Sequence, residues 1–258
     1  MRGALSRIAR QAGAMDFFDE IETVTERELD VGYVAAHRQM LRRDVRGFGY
    51  WIWKPYVIWR ALNALEEGDE LYYVDAGCHL NPRGRTRMGE YAEMLESNPL
   101  GLAAFELTPD CSVQRFTKMD LLVHMGVADD EDILSHSQIC ATHVFCVKNE
   151  QVMAFLSEWL KICENIHLVD DSPSHLPEPT CFVEHRHDQS VFTLLCLRYG
   201  AARLPGRETW PENNTRDWST MLEYPIWDKR DLGFTSHVFS RLLRKMRQKW
   251  MRLKSRFS

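Results

Sequence analysis

Short apolar runs alternate with longer segments of helical period along most of this chain, and this alternation constrains the fold more than any other feature. The runs LYYVDAGC, GLAAFEL and CATHVFCVK have the length and composition of buried strands. Between them lie segments such as NEQVMAFLSEWLKICEN, with apolar residues at steps of three and four. Strands that alternate with helices favour an α/β fold with a mainly parallel sheet flanked by helices.

The same patterns predict further elements. Helical periodicity predicts helices at ALSRIARQAG, which Gly13 ends, at ERELDVGYVAAHRQML and at RTRMGEYAEMLES. PYVIWRALNAL begins a helix with Pro55 in its first turn, where the missing N–H costs nothing. DQSVFTLLCLRYG predicts a helix with Asp188 as its N-cap and Gly200 after its end. FDEIETVT predicts one further strand that runs into a loop.

Composition and charge exclude several classes of protein. The chain has 258 residues, of which 45% are hydrophobic and 27% charged, as in ordinary globular proteins. Its formal net charge of -5 argues against a nucleic-acid partner. No apolar run approaches the roughly 20 residues that cross a bilayer, and the N-terminus lacks the apolar centre of a signal peptide. We therefore expect a cytoplasmic protein.

The cysteines are scattered and form no C-x-x-C pair, so neither a zinc ribbon nor a disulfide framework is indicated. We expect them to be reduced and to serve as small buried hydrophobes. The seven are Cys78, Cys111, Cys140, Cys146, Cys163, Cys181 and Cys196.

The first candidate site follows the strand LYYV. In open α/β sheets, ligands bind beyond the carboxyl ends of the strands, and Asp75 lies at such an end. Its carboxylate can bind a hard cation or a ribose hydroxyl, while Ala76 and Gly77 let a ligand approach the backbone. The alternative is structural: Asp75 caps a turn and Gly77 supplies an unusual backbone angle. The pattern leaves both interpretations open.

The second candidate site is EHRHDQS, residues 184–190, which lies just before a predicted helix and so at a natural anion site. It holds two imidazoles, a guanidinium and two carboxylates, although Asp188 could serve only as an N-cap in a solvated loop. A zinc site is not expected here, because residues 184–190 themselves contain no cysteine and no third histidine. The candidate binding residues are His185, Arg186, His187, Asp188 and Gln189.

Two motifs taken together, RGFGYWIWKPYVIWRALNALEEGDELYYVDAGCHL and FVEHRHDQSVFTLL, resemble a family of bacterial and viral glycosyltransferase-like proteins. These are similar to the nucleotide-diphospho-sugar transferases of the GT-A fold, and the resemblance spans residues 5–204. It implies a Rossmann-like nucleotide-binding half and a more variable acceptor half. It also implies transfer of a sugar from a nucleotide-sugar donor, often with Mn²⁺ or Mg²⁺.

The resemblance assigns roles to individual residues. GT-A enzymes usually hold the metal with Asp-x-Asp at a strand end; Asp75 matches the first aspartate, but Gly77 stands at the second. Metal binding would then rest on fewer protein ligands, Asp75 and His187, or be absent. Asp188 matches an acidic residue near a helix start that meets the acceptor or donor sugar, which makes it the candidate base. The family's first strand has no counterpart, since this chain begins at a predicted helix.

The aromatic stretch GFGYWIWKPY, residues 47–56, fits the same implied function. Aromatic faces stack on sugar rings and bases, Lys54 can neutralise a phosphate, and Gly47 and Gly49 permit a tight fold. We interpret this stretch as a wall of the donor site, with Lys54, Trp51 and Tyr50 lining it. Trp53 is expected to be structural.

We expect residues 1–235 to form a single GT-A-like domain that builds a surface polysaccharide on a glycan or lipid-linked acceptor. Two alternatives stay open: a catalytically inactive nucleotide- or sugar-binding relative, and a nucleotidyltransferase on the same frame. Nucleotidyltransferases usually carry a glycine-rich basic loop near the N-terminus, and no such loop is visible in this sequence.

The C-terminal segment, residues 236–258, carries many basic and no acidic residues, with apolar residues at steps of three and four. This pattern predicts an amphipathic helix that lies on an anionic membrane surface, at the inner face. The alternative is a helix that docks on the protein's own body with its basic face solvated.

Overall fold

Helices and short strands follow one another in the computed structural model of the protein, which describes residues 2–212 and 215–231. The helices are α1 (Arg2–Met15), α2 (Val31–Ala36), α3 (Gly47–Tyr50), α4 (Trp53–Asn63), α5 (Arg85–Glu96), α6 (Val113–Phe116), α7 (Met119–His124), α8 (Glu131–Ser135), α9 (Glu150–Glu164) and α10 (Asp188–Tyr199). The strands are β1 (Glu70–Val74), β2 (His79–Leu80), β3 (Leu102–Glu106), β4 (His143–Val147), β5 (Ala202–Pro205) and β6 (Ile226–Trp227).

Most predicted elements are present, one is absent and one is shorter than predicted. The helices α4, α5, α9 and α10 and the strands β1, β3 and β4 lie where the patterns predict them. The run FDEIETVT contains no strand, and of ERELDVGYVAAHRQML only the six residues of α2 are helical. Gly13 does not end α1, which continues to Met15. Gly200 does end α10, in the left-handed conformation with φ of 77°.

The main sheet has the strand order β1-β4-β3-β5 and is mixed. The predicted mainly parallel sheet is therefore wrong: β4 pairs antiparallel with both β1 and β3, and only β3 and β5 are parallel. The physical reason is that β4 alone runs against the other strands and lies between two of them. Apolar strand patterns identify strands but carry no information about their direction.

This reversal brings different strand ends to one edge of the sheet. The carboxyl ends of β1, β3 and β5 meet the amino end of β4, where Val74 lies opposite His143. Just beyond, the backbone N–H of Asp75 donates to Thr142 O at 2.9 Å. The candidate residues that follow β1 thus lie beside the segment that precedes β4.

Helices pack on both faces of the main sheet. Val144 and Cys146 of β4 belong to one cluster of buried apolar residues, with Trp159 of α9. Phe145 between them points to the other cluster, with Met88 of α5. Successive side chains of a strand point to opposite faces, so the sheet lies between two helical layers.

A second, two-stranded sheet pairs β2 with β6 and brings residues 226–231 against α1. The Arg7 guanidinium donates to the carbonyl oxygens of Ala76, Cys78 and Asp231 at 2.8–3.0 Å. These bonds hold the loop after β1 in place.

Among residues 2–212 and 215–231, no helix is long and apolar enough to cross a membrane. The predicted amphipathic helix at 236–258 lies outside the described residues.

Candidate functional site

The aromatic stretch begins with a left-handed helical turn. Residues 47–51 all have positive φ, at 60°, 56°, 93°, 52° and 61°. Gly47 is required here, because a Cβ on it would lie 2.4 Å from the Trp51 ring. The Trp53 indole N–H donates to Gly47 O at 3.0 Å, which is the structural role expected of that side chain.

Phe48, Tyr50 and Trp51 are strained in this turn, because left-handed backbone costs a residue with a Cβ about 1–2 kcal/mol. His187 is a further strained residue, with φ of 56° and ψ of -126°. Its ring contacts those of Tyr50 and Trp51, with centroids 5.1 and 5.5 Å apart. Backbone strain of this kind persists only where packing enforces it, and it is concentrated at functional sites.

Lys54, Asp75 and Asp188 meet at the edge of the sheet described above. The Lys54 ammonium lies 3.5 Å from Asp75 Oδ1 and 3.4 Å from Asp188 Oδ2, and it donates to Ala141 O at 3.1 Å. The side chains of Lys54 and Asp188 are each 5% exposed, whereas that of Asp75 is 29% exposed. The three residues come from three separate stretches of the sequence: residues 47–56, the segment after LYYV, and residues 184–190.

Burial and charge set the protonation of this cluster. Burial would lower the pKa of Lys54, but the carboxylates of Asp188 and Asp75 more than compensate, and its pKa is raised. Burial raises the pKa of Asp188 to about 7, against the opposing attraction of Lys54. The ammonium therefore stays charged, while Asp188 exchanges a proton near neutral pH.

Tyr73 belongs to the site and was not predicted. Its hydroxyl donates to Asp75 Oδ1 at 2.6 Å, and its ring lies 5.8 Å from the Lys54 ammonium. Residues two apart on a strand share a face, so the spacing of Tyr73 and Asp75 was the available signal.

Asp188 does not cap α10, contrary to the sequence prediction. It is the first residue of the helix, and His187 occupies the N-cap position without a side-chain cap bond. The Asp188 side chain turns inward to Lys54, while its carbonyl accepts from the Trp159 indole N–H at 3.1 Å.

The two histidines of the EHRHDQS motif are buried and bonded to backbone. His185 Nδ1 accepts from the Lys118 N–H at 3.2 Å and its Nε2–H donates to Leu168 O at 3.0 Å, and burial lowers its pKa to about 3. His187 donates from Nδ1 to Val169 O at 2.7 Å, and burial lowers its pKa as well. Both imidazoles are therefore neutral at pH 7.

The other predicted binding residues lie around this centre without joining it. Ala76 and Gly77 use their carbonyls within the protein, the latter as acceptor for the Asp231 N–H at 2.8 Å. Arg186 pairs with Glu184 at 3.0 Å and lies over the ring of Phe116. Gln189, at the start of α10, has a side-chain amide nitrogen that is buried without a hydrogen-bond partner.

The donor atoms near Asp75 do not fit a divalent cation held by protein. Asp75 Oδ1 already accepts from Tyr73 and faces the Lys54 ammonium, which would repel a second cation. The Nε2 atom of His187, the other predicted ligand, lies 3.6 Å from Asp171. Mn²⁺ or Mg²⁺ at Asp75 and His187 therefore remains an expectation from the sequence alone, and no step is derived through it.

Two other groups of side chains in the described residues bring ligand atoms within 4.8 Å of one another. One is Cys78, His143 and Asp228; the other is Asp120, His167 and His175. Neither group was predicted, because the spacing of its members in the sequence matches no metal-binding motif.

Comparison with known proteins leaves the family open. No protein-family model matches the sequence, and neither does any curated protein. One solved structure, that of mouse xyloside xylosyltransferase 1 in its apo form, aligns over 88% of this chain and 72% of its own. The aligned residues are 10% identical, with a TM-score of 0.33. Agreement at that level carries no argument about fold or function.

Proposed function

We propose that this protein is a glycosyltransferase that moves a sugar from a nucleotide-sugar donor to a glycan or lipid-linked acceptor, in the synthesis of a surface polysaccharide. The observation that carries the proposal is that three candidate residues meet at one edge of the sheet. Lys54 and Asp75 come from the first of the two motifs on which the family resemblance rests, and Asp188 comes from the second. Both carboxylates lie within 3.5 Å of the Lys54 ammonium.

We assign the proposed roles by the exposed fraction of each side chain. Asp75 is the most exposed of the three, so we assign it the contact with the donor. The charge of Lys54 holds Asp75 and Asp188 in place and supplies positive potential near a diphosphate. Tyr50 and Trp51, presented by the left-handed turn, form the proposed wall for the sugar or base.

The reaction requires one proton transfer. The bond from the sugar C1 to the diphosphate oxygen breaks, and the nucleoside diphosphate leaves with the electron pair. The acceptor oxygen forms a bond to C1 and loses its proton. A pKa of about 7 suits Asp188 to receive that proton, because a general base works best near the operating pH.

One observation favours a second candidate, a catalytically inactive relative that binds a nucleotide or a sugar. Asp188 is only 5% exposed and pairs with the equally buried Lys54, so an acceptor hydroxyl has little access to it. Such a protein would bind the donor without turning it over.

Turnover of nucleotide sugars tests the proposal and separates the two candidates. Purified protein is incubated with UDP-, GDP- and CDP-sugars, with and without Mn²⁺, and release of nucleoside diphosphate is measured. We expect release from at least one donor and its loss in Asp75→Asn, whose amide oxygen can still accept from Tyr73. Asp188→Asn should reduce turnover by roughly 10²–10⁴-fold.

The exposed carboxylate of Asp132, on α8, provides the matched control, and Asp132→Asn should keep full activity. Binding without turnover of any donor would favour the inactive relative. Full activity in Asp75→Asn would remove Asp75 from the site.

A further inference from the structure

A second cluster of polar side chains, Cys78, His143 and Asp228, lies on the same edge of the sheet. Cys78 Sγ is 3.7 Å from His143 Nε2 and 3.2 Å from Asp228 Oδ1, and the last two atoms are 2.6 Å apart. Cys78 lies in the loop after β1, His143 begins β4, and Asp228 follows β6. Three separate segments therefore direct one ligand atom each to a common point.

This arrangement is not that of a proton relay. In a Cys-His-Asp relay the thiol and the carboxylate contact different nitrogens of the imidazole. Here both contact Nε2 of His143. An ion bound at Nε2 of His143 requires its other ligand atoms to lie beside that same nitrogen, as the thiol and the carboxylate do here.

The distances fit a tetrahedral ion after a small adjustment. Zinc bonds of about 2.0–2.3 Å place neighbouring ligand atoms about 3.3–3.7 Å apart. The spacings from Cys78 to His143 and to Asp228, 3.7 and 3.2 Å, are already close to this range. Only the spacing of His143 and Asp228, now 2.6 Å, has to widen.

The type of donor selects the metal. Mg²⁺, Mn²⁺ and Ca²⁺ prefer oxygen ligands, whereas a thiolate, an imidazole and a carboxylate suit Zn²⁺. The surroundings are apolar: Cys78 and His143 are 2% and 0% exposed, and the His143 ring lies edge-on to Phe105 at 5.2 Å. Polar groups are costly to bury in such a place unless they are well paired, and here one carboxylate oxygen serves both partners.

Backbone contacts already hold the ligands in position. The N–H of Cys78 donates to Asp75 O and that of Asp228 to Thr209 O, each at 2.9 Å. Part of the ordering that metal binding would require is therefore present in the fold.

We propose that Cys78, His143 and Asp228 bind one Zn²⁺ ion, with a water molecule as the fourth ligand. When the ion binds, Cys78 releases its thiol proton and His143 releases the proton on Nε2, both to solvent, since a thiolate and an unprotonated imidazole nitrogen are the ligands. The ion joins the segment that follows β6 to the main sheet and to the loop that begins with Asp75. This inference does not depend on the proposed glycosyl transfer.

The group of Asp120, His167 and His175 is the competing place for a metal. His167 Nε2 lies 2.5 Å from Asp120 Oδ2, and the two imidazole rings are stacked at 4.3 Å. This group is more exposed than that of Cys78, His143 and Asp228, and it contains no thiol. Cobalt bound there would therefore give no thiolate band. His175→Ala removes it without touching the proposed site.

The experiment uses the full chain, freed of metal with a chelator and then titrated with Co²⁺ and Zn²⁺. We expect one Co²⁺ per chain, with the near-ultraviolet charge-transfer band of a cobalt-thiolate bond, and displacement of Co²⁺ by Zn²⁺. Cys78→Ser should lose the band. Cys181→Ser, the same change at an exposed cysteine, and His175→Ala should keep it.

Asp228→Asn keeps the shape of a ligand and should weaken Zn²⁺ binding, measured against a competing chelator, by more than about tenfold. Circular dichroism checks that each variant is folded. The wild type alone can overturn the proposal, by taking up no Co²⁺ or by showing no thiolate band. A band that persists in Cys78→Ser, or that disappears in His175→Ala, overturns it as well.

Discussion

Replacing Lys54 with methionine tests the electrostatics of the candidate site, because it removes the ammonium between two carboxylates. That ammonium lies 3.5 Å from Asp75 and 3.4 Å from Asp188. At an effective dielectric constant of about 20, each pair attracts by about 5 kcal/mol. Desolvation offsets part of this attraction, and breaking a buried pair typically costs about 3–5 kcal/mol. We expect Lys54→Met to lower the free energy of unfolding by about that amount at pH 8.

The loss should depend on pH, and its sign follows from Asp188. The pKa of Asp188 is about 7 in the folded protein against an ordinary value of 3.8. The stability that comes from its protonation is complete below pH 3.8, declines as the pH rises to about 7, and is then constant. Without Lys54 the folded pKa rises further. The decline then continues above pH 7, at about 1.4 kcal/mol per pH unit.

The assay is urea unfolding followed by tryptophan fluorescence at pH 6, 7 and 8. The deficit of Lys54→Met relative to wild type should grow by about 1 kcal/mol between pH 7 and pH 8, because the variant loses about 1.4 kcal/mol and the wild type about 0.4 kcal/mol. The control is the double variant with Asp188→Asn, compared with Asp188→Asn alone; both lack the titrating group, so the deficit between them should be smaller and should not change with pH. A deficit under about 1 kcal/mol at pH 8, or one equal at pH 6 and pH 8, would refute the reasoning.

Three further predictions concern other parts of the chain. Gly47→Ala should lower the free energy of unfolding, measured in urea, by about 3 kcal/mol, since its Cβ would lie 2.4 Å from an indole ring. Gly68 also has a positive φ but has open space around it, so Gly68→Ala should lower the free energy of unfolding by only about 1–2 kcal/mol. Equal losses in the two variants would contradict the clash. Burial lowers the pKa of His185 to about 3, so the free energy of unfolding should fall by about 1.4 kcal/mol per pH unit as the pH drops below 6.5. His185→Gln should flatten that decline. An unchanged slope would exclude this histidine as its cause. The full chain should co-sediment with anionic liposomes, less at high salt, and a chain without residues 236–258 should not; equal binding would contradict the membrane prediction.

Helices could be located from the sequence where local signals agree. In α9, apolar residues recur at helical spacing and Asn149 caps the first turn by accepting from Val152 N–H at 2.8 Å. Such signals involve residues close in sequence, and so a single sequence displays them. Strand direction has no local signal, because it depends on pairings such as that of Val74 with His143.

The three charged residues of the candidate site were each proposed from the sequence, but their assembly was not. Lys54, Asp75 and Asp188 each stand out by residue type and position, yet only the fold brings their charges together. The glycines at 47 and 49 indicate unusual backbone, whereas no pattern predicts that Phe48 and Trp51 adopt the same left-handed conformation.

The inferred zinc ligands were missed for a related reason. Cys78 and His143 are 65 residues apart, and His143 and Asp228 are 85 apart. Metal-binding motifs are recognisable when ligands repeat at short spacing on one loop or helix. Ligands drawn singly from three strand ends leave no such spacing, and Cys78 looks like any buried cysteine.

Equilibrium binding of nucleotide sugars tests the central claim most directly, because both candidate functions require a donor site at Asp75. Calorimetric titration of the wild type with UDP-, GDP- and CDP-sugars should show one-site binding of at least one donor. Asp75→Asn should weaken that binding by at least about tenfold, the loss expected when a charge-assisted hydrogen bond is removed, whereas Asp132→Asn should bind as the wild type does. No binding of any nucleotide sugar, or equal binding by the Asp75 variant, would contradict the account.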